Sequence, residues 1–358
     1  MCDIVVHCFV DNDSDKWSDG LLDGIPCIKP AEIEDKDSCV VFIAVARKRY
    51  DSVCENARNN GFVQIVLWED VFDDIIKNHK KLFFEIVKYH ANVQKMDLFY
   101  VHLSKNNEMR DVGKSRTTNK IAVYTSVFGE YDNIYDPKFV SDDIDYYYVS
   151  EYPVSATHVF QWIDSSLVIP ANIDSPVKKN RFIKMHPQLL FPDYQYSVYI
   201  DGNIEVLGDM SLLNPMCASG ISVFKHPERD CIYYEGITIA NYKRVPVDEV
   251  QTHLKRYLSE GYPLHFGMPE MSVILREHNN PICKKIMELW WNEFNYSVQR
   301  DQLSFMYSIW KNGLTISDIS SLGDDVRHCN FLKMHTHKKI SRNVKNGESL
   351  IHYIPEIR

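Results

Sequence analysis

Asp201, Gly202 and Asn203 stand at the end of an apolar β-type run, Ser197-Val198-Tyr199-Ile200. A strand interior has no reason to stop on a carboxylate, whereas an α/β sheet that presents one to a ligand at its C-terminal edge does. Gly202 permits a tight turn or a close approach, and Asn203 offers a second oxygen; the tripeptide also reads as an ordinary Asp-Gly turn. Upstream, Asn180-Arg181-Phe182-Ile183-Lys184-Met185-His186 sets two cations three residues apart, on one side of the chain if it is helical. A bidentate arginine and a point-charge lysine suit a diphosphate, and equally a solvated basic face with snorkelling stems. Downstream, Glu270 precedes an apolar run that Arg276, Glu277 and His278 follow. Asp301 opens a helical pattern, either as an N-cap or as a carboxylate placed with the helix's positive end at a cleft. Thr125, Ser126, Gly129 and Asp132 follow a strand-like segment and form a natural wall for a base and ribose. His335 and His337 add two late nitrogens, as metal ligands or as a surface pair.

The elements that must position these residues come from periodicity. From Lys120 onward, strands are predicted at Ile121–Tyr124, Asp145–Val149, Ser197–Ile200 and Ile221–Phe224. Three helices follow, marked by Val250, Leu254, Tyr257 and Leu258; by Ile282, Ile286, Leu289, Trp290 and Phe294; and by Leu303, Met306, Tyr307 and Trp310. Residues 104–119 are polar and read as a linker or exposed loop; Gly113-Lys114-Ser115 lacks the upstream glycine and strand of a phosphate loop. Residues 1–103 read as a smaller α/β unit. Its parts are a β-rich Ile4–Val10 ending in the polar turn Asp11–Asp15, and a continuous apolar run Val40–Val45 expected to be covered on both faces. A helix Tyr50–Asn59, a strand Val63–Leu67 and one helical pattern from Val71 to Ile86 complete it.

A chain of 358 residues with 45% hydrophobic and 25% charged residues has the balance of a globular protein with two domains. Net charge is −9, and no notable Lys/Arg block precedes Lys338-Lys339, which disfavours nucleic-acid binding. The nine cysteines are scattered with no CxxC pair, so reduced thiols in a cytoplasmic protein are expected. No basic n-region with an apolar core opens the chain and no apolar run reaches bilayer length, so neither a signal peptide nor a transmembrane segment is expected.

Several of these segments together resemble one family. They are Tyr124-Thr125 through Phe128-Gly129 and Tyr131-Asp132, Asn180-Arg181 with Lys184, Phe191-Pro192, Ile200-Asp201-Gly202-Asn203, Gly267-Met268-Pro269-Glu270, Arg276-Glu277-His278-Asn279, Trp290-Trp291 and Arg300-Asp301-Gln302-Leu303-Ser304-Phe305. The set is similar to the glycosyltransferase-like family shared by plant mucilage-synthesis proteins and bacterial capsule or lipopolysaccharide loci, over roughly residues 120–312. The resemblance implies an α/β, GT-A-like domain with a mixed, mostly parallel sheet, spanning 120–358, and transfer of a sugar from a nucleotide-sugar donor to a hydroxyl of a glycan acceptor. It implies donor binding by Thr125, Ser126, Gly129, Asp132, Arg181, Lys184, Asp201, Gly202 and Asn203, and acceptor binding by Arg276 and His278. Asp301 and Glu270 are the expected catalytic carboxylates, with Asp301 favoured as base because a helix start is a fixed platform. A divalent cation, Mn²⁺ or Mg²⁺, is expected on Asp201, Asn203 and His335; Asn203 stands where the usual motif has a second aspartate, and binds a cation more weakly. Expected partners are the donor and a glycan or lipid-linked glycan acceptor, with no nucleic acid; peripheral membrane association and a homo-oligomer are both compatible with the chain. The other reading is a non-catalytic sugar-binding scaffold with a degenerate transferase domain. Phe9-Val10-Asp11-Asn12-Asp13, Gly24-Ile25-Pro26 and Val40–Ala44 resemble the second part of a Rossmann-like domain at the front of some polysaccharide-biosynthesis proteins. No GxGxxG occurs there, so a scaffolding or docking role is expected of residues 1–103 rather than a nucleotide site.

Overall fold

The computed structural model describes residues 8–10, 18–22, 25–43, 49–92, 110–111, 113–114, 120–129, 132–155, 157–215, 217–242, 245–296 and 298–337. The expectations for Asp11–Asp15, Ala44-Val45, Lys338-Lys339 and most of 104–119 fall outside them. The chain divides into two compact units, one of residues 1–86 with 96–102, the other of 87–95 with 103–358.

In the first unit β1 (Phe9–Val10), β2 (Ser18–Leu22) and β3 (Ile25–Ile28) form a sheet in which β3 is parallel to β1 and antiparallel to β2. The β2–β3 pair has no counterpart in the sequence reading. β4 (Val40–Ile43) and β5 (Gln64–Leu67) are parallel and joined through α1 (Tyr50–Asn59), the crossover that the alternation predicts. β4 is not covered on both faces: Ile43 is buried, but Val40 and Phe42 are 46% and 42% exposed. The single helical pattern from Val71 to Ile86 is two helices, α2 (Trp68–Asn78) and α3 (Lys80–Asn92). The chain breaks at His79, which leaves helical geometry at φ −126°, ψ 49°.

The second unit contributes β6 (Arg110–Asp111), β7 (Gly113–Lys114), β8 (Ile121–Ser126), β9 (Ile144–Ser150), β10 (Gln161–Asp164), β11 (Tyr196–Ile200) and β12 (Ile204–Val206). β13 (Leu213–Asn214), β14 (Ile221–Lys225), β15 (Pro269–Arg276), β16 (Ser320–Gly323) and β17 (Leu332–Met334) complete its strands. One mixed sheet runs in the order β10-β9-β8-β11-β15-β14-β16-β6, with β15 antiparallel to its neighbours and the other pairs parallel. β12 pairs with β17, and β13 with β7, as short antiparallel ribbons. Arg110–Asp111 and Gly113–Lys114 thus belong to strands of this unit although their segment reads as a linker. Helices α4 (Pro176–Met185), α5 (Pro187–Leu190), α6 (Ile232–Asn241), α7 (Val247–Ser259), α8 (Pro281–Tyr296) and α9 (Asp301–Lys311) complete the α/β arrangement. β8 and β11 are buried at every position, which is why they read as continuous apolar runs rather than alternating ones.

The strand that positions the chemistry is β15, an apolar run that the sequence leaves unassigned. A short continuous run cannot be told from a buried helix segment by period alone. Because β15 runs against its neighbours, it begins where β8, β11, β14 and β16 end. Glu270 is therefore brought to the same sheet edge as Asp201, the edge at which open α/β sheets receive ligands.

Candidate active site

At this edge α4 supplies a row of polar side chains. Asn180 donates to the Ser126 carbonyl at 2.9 Å and to the Ser126 hydroxyl at 3.0 Å, which ties α4 to the end of β8. Its amide oxygen accepts a hydrogen bond from Arg181. One turn on, Arg181 and Lys184 face the same carboxylate, as their spacing predicts: Asp301 Oδ2 lies 3.0 Å from Arg181 Nε and 2.7 Å from Lys184 Nζ. Lys184 Nζ is also 3.7 Å from Asp201 Oδ1, which accepts from the Tyr199 hydroxyl at 2.9 Å. Burial pushes the Tyr199 phenol well above its usual range, so it stays a donor to Asp201. Neither Asn180 nor Tyr199 is among the residues expected from the sequence. Asn180 sits in the quoted motif, and Tyr199 two residues before Asp201 reads as core.

The two expected catalytic carboxylates differ sharply. Burial works to raise Asp301, but Arg181, Lys184 and Arg300 overcome it and hold the carboxyl well below the usual carboxylate range. Asp301 is the first residue of α9, and its side chain is spent on the cations rather than on capping the helix. A group so stabilised as an anion is a poor base. Glu270 is the opposite case. Burial raises its pKa, Asp201 and Glu235 add to the rise, and Arg327 and Lys184 oppose it. Its nearest cation, Arg327 Nη2, stands 3.7 Å away. These surroundings count against Asp301 as the base and favour Glu270 of the two expected carboxylates.

Other expectations are met differently. Lys184 is 1% exposed, so it holds Asp201 and Asp301 from within and does not face solvent. Thr125 and Ser126 are each 2% exposed, and neither hydroxyl lies on the surface. Asp132 is paired with His337 at 2.9 Å. It also sits against the Asp201 turn: a Cβ on Gly202 would lie 3.0 Å from the Asp132 Cβ and 3.0 Å from a Val127 methyl, so a side chain here would require those neighbours to shift. Gly129 turns with φ 64° and packs near Pro176 of α4.

Arg276 and His278 are withdrawn from the acceptor by burial, at 0% and 1% exposure. Arg276 donates to the Lys184 carbonyl at 2.7 Å and to the Tyr124 hydroxyl, which itself reaches the Ile183 and Lys184 carbonyls. A guanidinium thus closes the negative end of the helix that carries Arg181 and Lys184. His278 donates from Nε2 to the Phe191 carbonyl at 2.8 Å, and burial lowers its pKa from 6.5 to about 4. The unfolded chain therefore takes up a proton below pH 6.5 that the folded chain refuses until about 4. Stability is expected to fall as pH drops through that window, by about 1.4 kcal/mol per pH unit for this group. Urea titrations between pH 7 and pH 4 measure the slope (roughly the window of one histidine); His278→Gln should flatten it, and an unchanged slope would contradict the assignment.

The expected cation ligands do not assemble. Asn203 donates its amide to the His335 carbonyl at 2.7 Å, across the β12–β17 ribbon. The His335 ring is stacked on Tyr135 and bonded through Nε2 to Glu205 at 2.8 Å. Among the described residues no three His, Cys, Asp or Glu side chains are placed to hold a metal ion. Asp201, Asn203 and His335 as arranged do not fit a cation. Of the two late histidines, it is His337, through Asp132, that approaches the Asp201 turn.

Residues 172–337, which carry Arg181, Lys184, Asp201, Glu270 and Asp301, match the family model "TOD1/MUCI70, glycosyltransferase-like domain". "Probable hexosyltransferase MUCI70" of Arabidopsis thaliana is 25% identical over 223 residues, covering 54% of this chain and 38% of its own length. The chain thus spans about two fifths of that relative. Among solved structures, a "WbbM bifunctional glycosytransferase apo structure" is similar with TM-score 0.32 and 12% identity, covering 63% of this chain and 40% of that one, a likeness too distant to bear on the chemistry. No helix among the described residues is long and apolar enough to cross a membrane. Over residues 172–337, the second unit is thus similar to the glycosyltransferase-like domain of the TOD1/MUCI70 family.

Proposed function

We propose that this unit transfers a sugar from a nucleotide-sugar donor to a hydroxyl of a glycan acceptor, with Glu270 as the general base. The observation that carries the reading is the contrast between its two carboxylates: Asp301 clamped by Arg181 and Lys184, Glu270 raised by burial and 3.7 Å from Arg327, its one ion-pair partner among the described residues. Pairs of carboxyls pushed apart in this way separate structural and proton-transfer roles. The acceptor oxygen bonds to the anomeric carbon as the bond from that carbon to the phosphate oxygen breaks. The electron pair leaves with the nucleoside diphosphate, and the acceptor proton passes to Glu270. A single displacement of this kind inverts the anomeric centre.

Arg181, 22% exposed, is the cation of the network that faces outward, and it meets the charge growing on the diphosphate. Asp201, 29% exposed, accepts from donor hydroxyls, because a carboxylate with no cation bridging it to the phosphate repels it. We place the reaction in the cytoplasm, in assembly of a bacterial surface polysaccharide such as capsule or lipopolysaccharide. The motifs shared with that family support this setting. The engaged His335 ring and the inward Asn203 amide favour the second reading, a non-catalytic sugar-binding scaffold.

Thermal unfolding with a panel of nucleotide sugars tests the donor half. One donor at a hundred times its Kd should add about 2.7 kcal/mol of stability, and Asp201→Ala should remove most of it. Equal shifts in variant and wild type would contradict donor placement at Asp201. A wild-type shift without release of nucleoside diphosphate would favour the scaffold.

A further inference from the structure

Across the end of the sheet, three strands place a carboxylate, an aromatic ring and a bare backbone in one row. Phe224 stands opposite Glu270 in the β14–β15 ladder and opposite Gly323 in the β14–β16 ladder. Directly opposed residues share a sheet face. Gly323 has φ 145°, a conformation open to glycine, and a Cβ there would lie 3.2 Å from the Phe224 ring. The row ends in a cavity of about 380 Å³. Phe224, Leu322 and Phe331 form its apolar floor, and Asp324, Asp325 and Asn330 stand at its rim. Phe331 is fixed in place, because its carbonyl accepts from the Leu207 and Gly208 amides and its ring lies where a Gly208 side chain would be. Arg327 connects the cavity to Glu270: Nη1 is 3.1 Å from Asp325 Oδ1 at the rim, and Nη2 is 3.7 Å from Glu270 Oε2.

We propose that this cavity is the acceptor subsite, and that it holds one ring of a neutral glycan, with Phe224 and Arg327 between that ring and Glu270. A sugar ring presents an apolar C–H face and a hydroxyl edge, which match an apolar floor with a carboxylate and amide rim. The volume suits one ring with its substituents, at the small end of ligand sites. Charge separates this subsite from the donor's: Arg181 faces the diphosphate, whereas Asp324 and Asp325 are paired with Lys225 at 2.8 Å and Arg327 at 3.1 Å, a charge-balanced rim that suits a neutral ring. The assignment rests on the reading of Glu270 as base, since Arg327 links that carboxylate to the cavity rim.

Saturation-transfer NMR on the full chain with lactose, cellobiose and maltose, and with glucuronate as the anionic control, tests it. Ring protons of at least one neutral disaccharide should be saturated, and those of glucuronate should not. Leu322→Trp, which fills the cavity, should abolish the signal. Asn330→Trp, at an exposed rim position, should do so by blocking the mouth even where the filled variant fails to fold. Titration of wild type with UDP and GDP reports separately on the donor half, so loss of donor binding there counts against the Proposed function and not against the cavity. An undiminished signal in Asn330→Trp, preference for glucuronate, or no saturation of any neutral disaccharide by wild type would overturn the assignment.

Discussion

Glu270→Gln is expected to lower sugar transfer by about 10²–10⁴-fold, the range contributed by a positioned general base. The amide keeps the size of the side chain and cannot accept the acceptor proton. Donor stabilisation in thermal unfolding should survive, because Arg181 and Asp201 are untouched. The pH dependence carries the sign of the same assignment. A base works deprotonated, and burial raises the Glu270 pKa, so transfer should switch on with rising pH above the ordinary carboxylate range. Arg327 is the largest influence holding that pKa down, so Arg327→Ala should move the acid limb to higher pH. A purely structural Glu270 would move neither the acid limb nor the rate at saturating substrate.

Asp301→Asn is expected to destabilise the second unit by about 3–5 kcal/mol, the cost of stripping a buried charge of its partner. Lys184 is 1% exposed and keeps only the more distant Asp201, at 3.7 Å. Arg181 loses its 3.0 Å contact at the same time. In the parent, this ion pair's contribution is complete above the ordinary value of 3.8 and is lost only as pH falls through the depressed one. Urea unfolding at neutral pH measures the difference. Lys184→Met in the Asp301→Asn background should recover much of it by removing the stranded ammonium. A loss below about 1 kcal/mol, the worth of an exposed pair, would mean that water reaches the site freely.

Local pattern carries the framework of the second unit and stops at its site. β8, β9, β11 and β14 are predicted to within a few residues by their β-rich apolar runs, and helices α7, α8 and α9 by their apolar periods. α6 escapes because it is buried on nearly every side and shows no stripe, and α4 because its buried residues Phe182, Ile183, Lys184 and Met185 are consecutive and include a lysine, so they too form no stripe. The approach of Arg181 and Lys184 to each other is written in their spacing. Their meeting with Asp301, more than a hundred residues away, is written only in the sheet order. Arg276 and His278 show the converse error: a charged or ionisable side chain reads as functional until burial shows it holding a carbonyl. Likewise the sequence favours Asp301 over Glu270 as base, and only their neighbours favour the reverse.

The most direct measurement incubates the full chain with a panel of nucleotide sugars and neutral glycans and follows the anomeric protons by NMR. One donor should be consumed with appearance of a new glycosidic signal of inverted configuration, and Glu270→Gln should leave that donor intact over the same time. Transfer by Glu270→Gln at the wild-type rate, or no consumption of any donor by the wild type, would contradict the account.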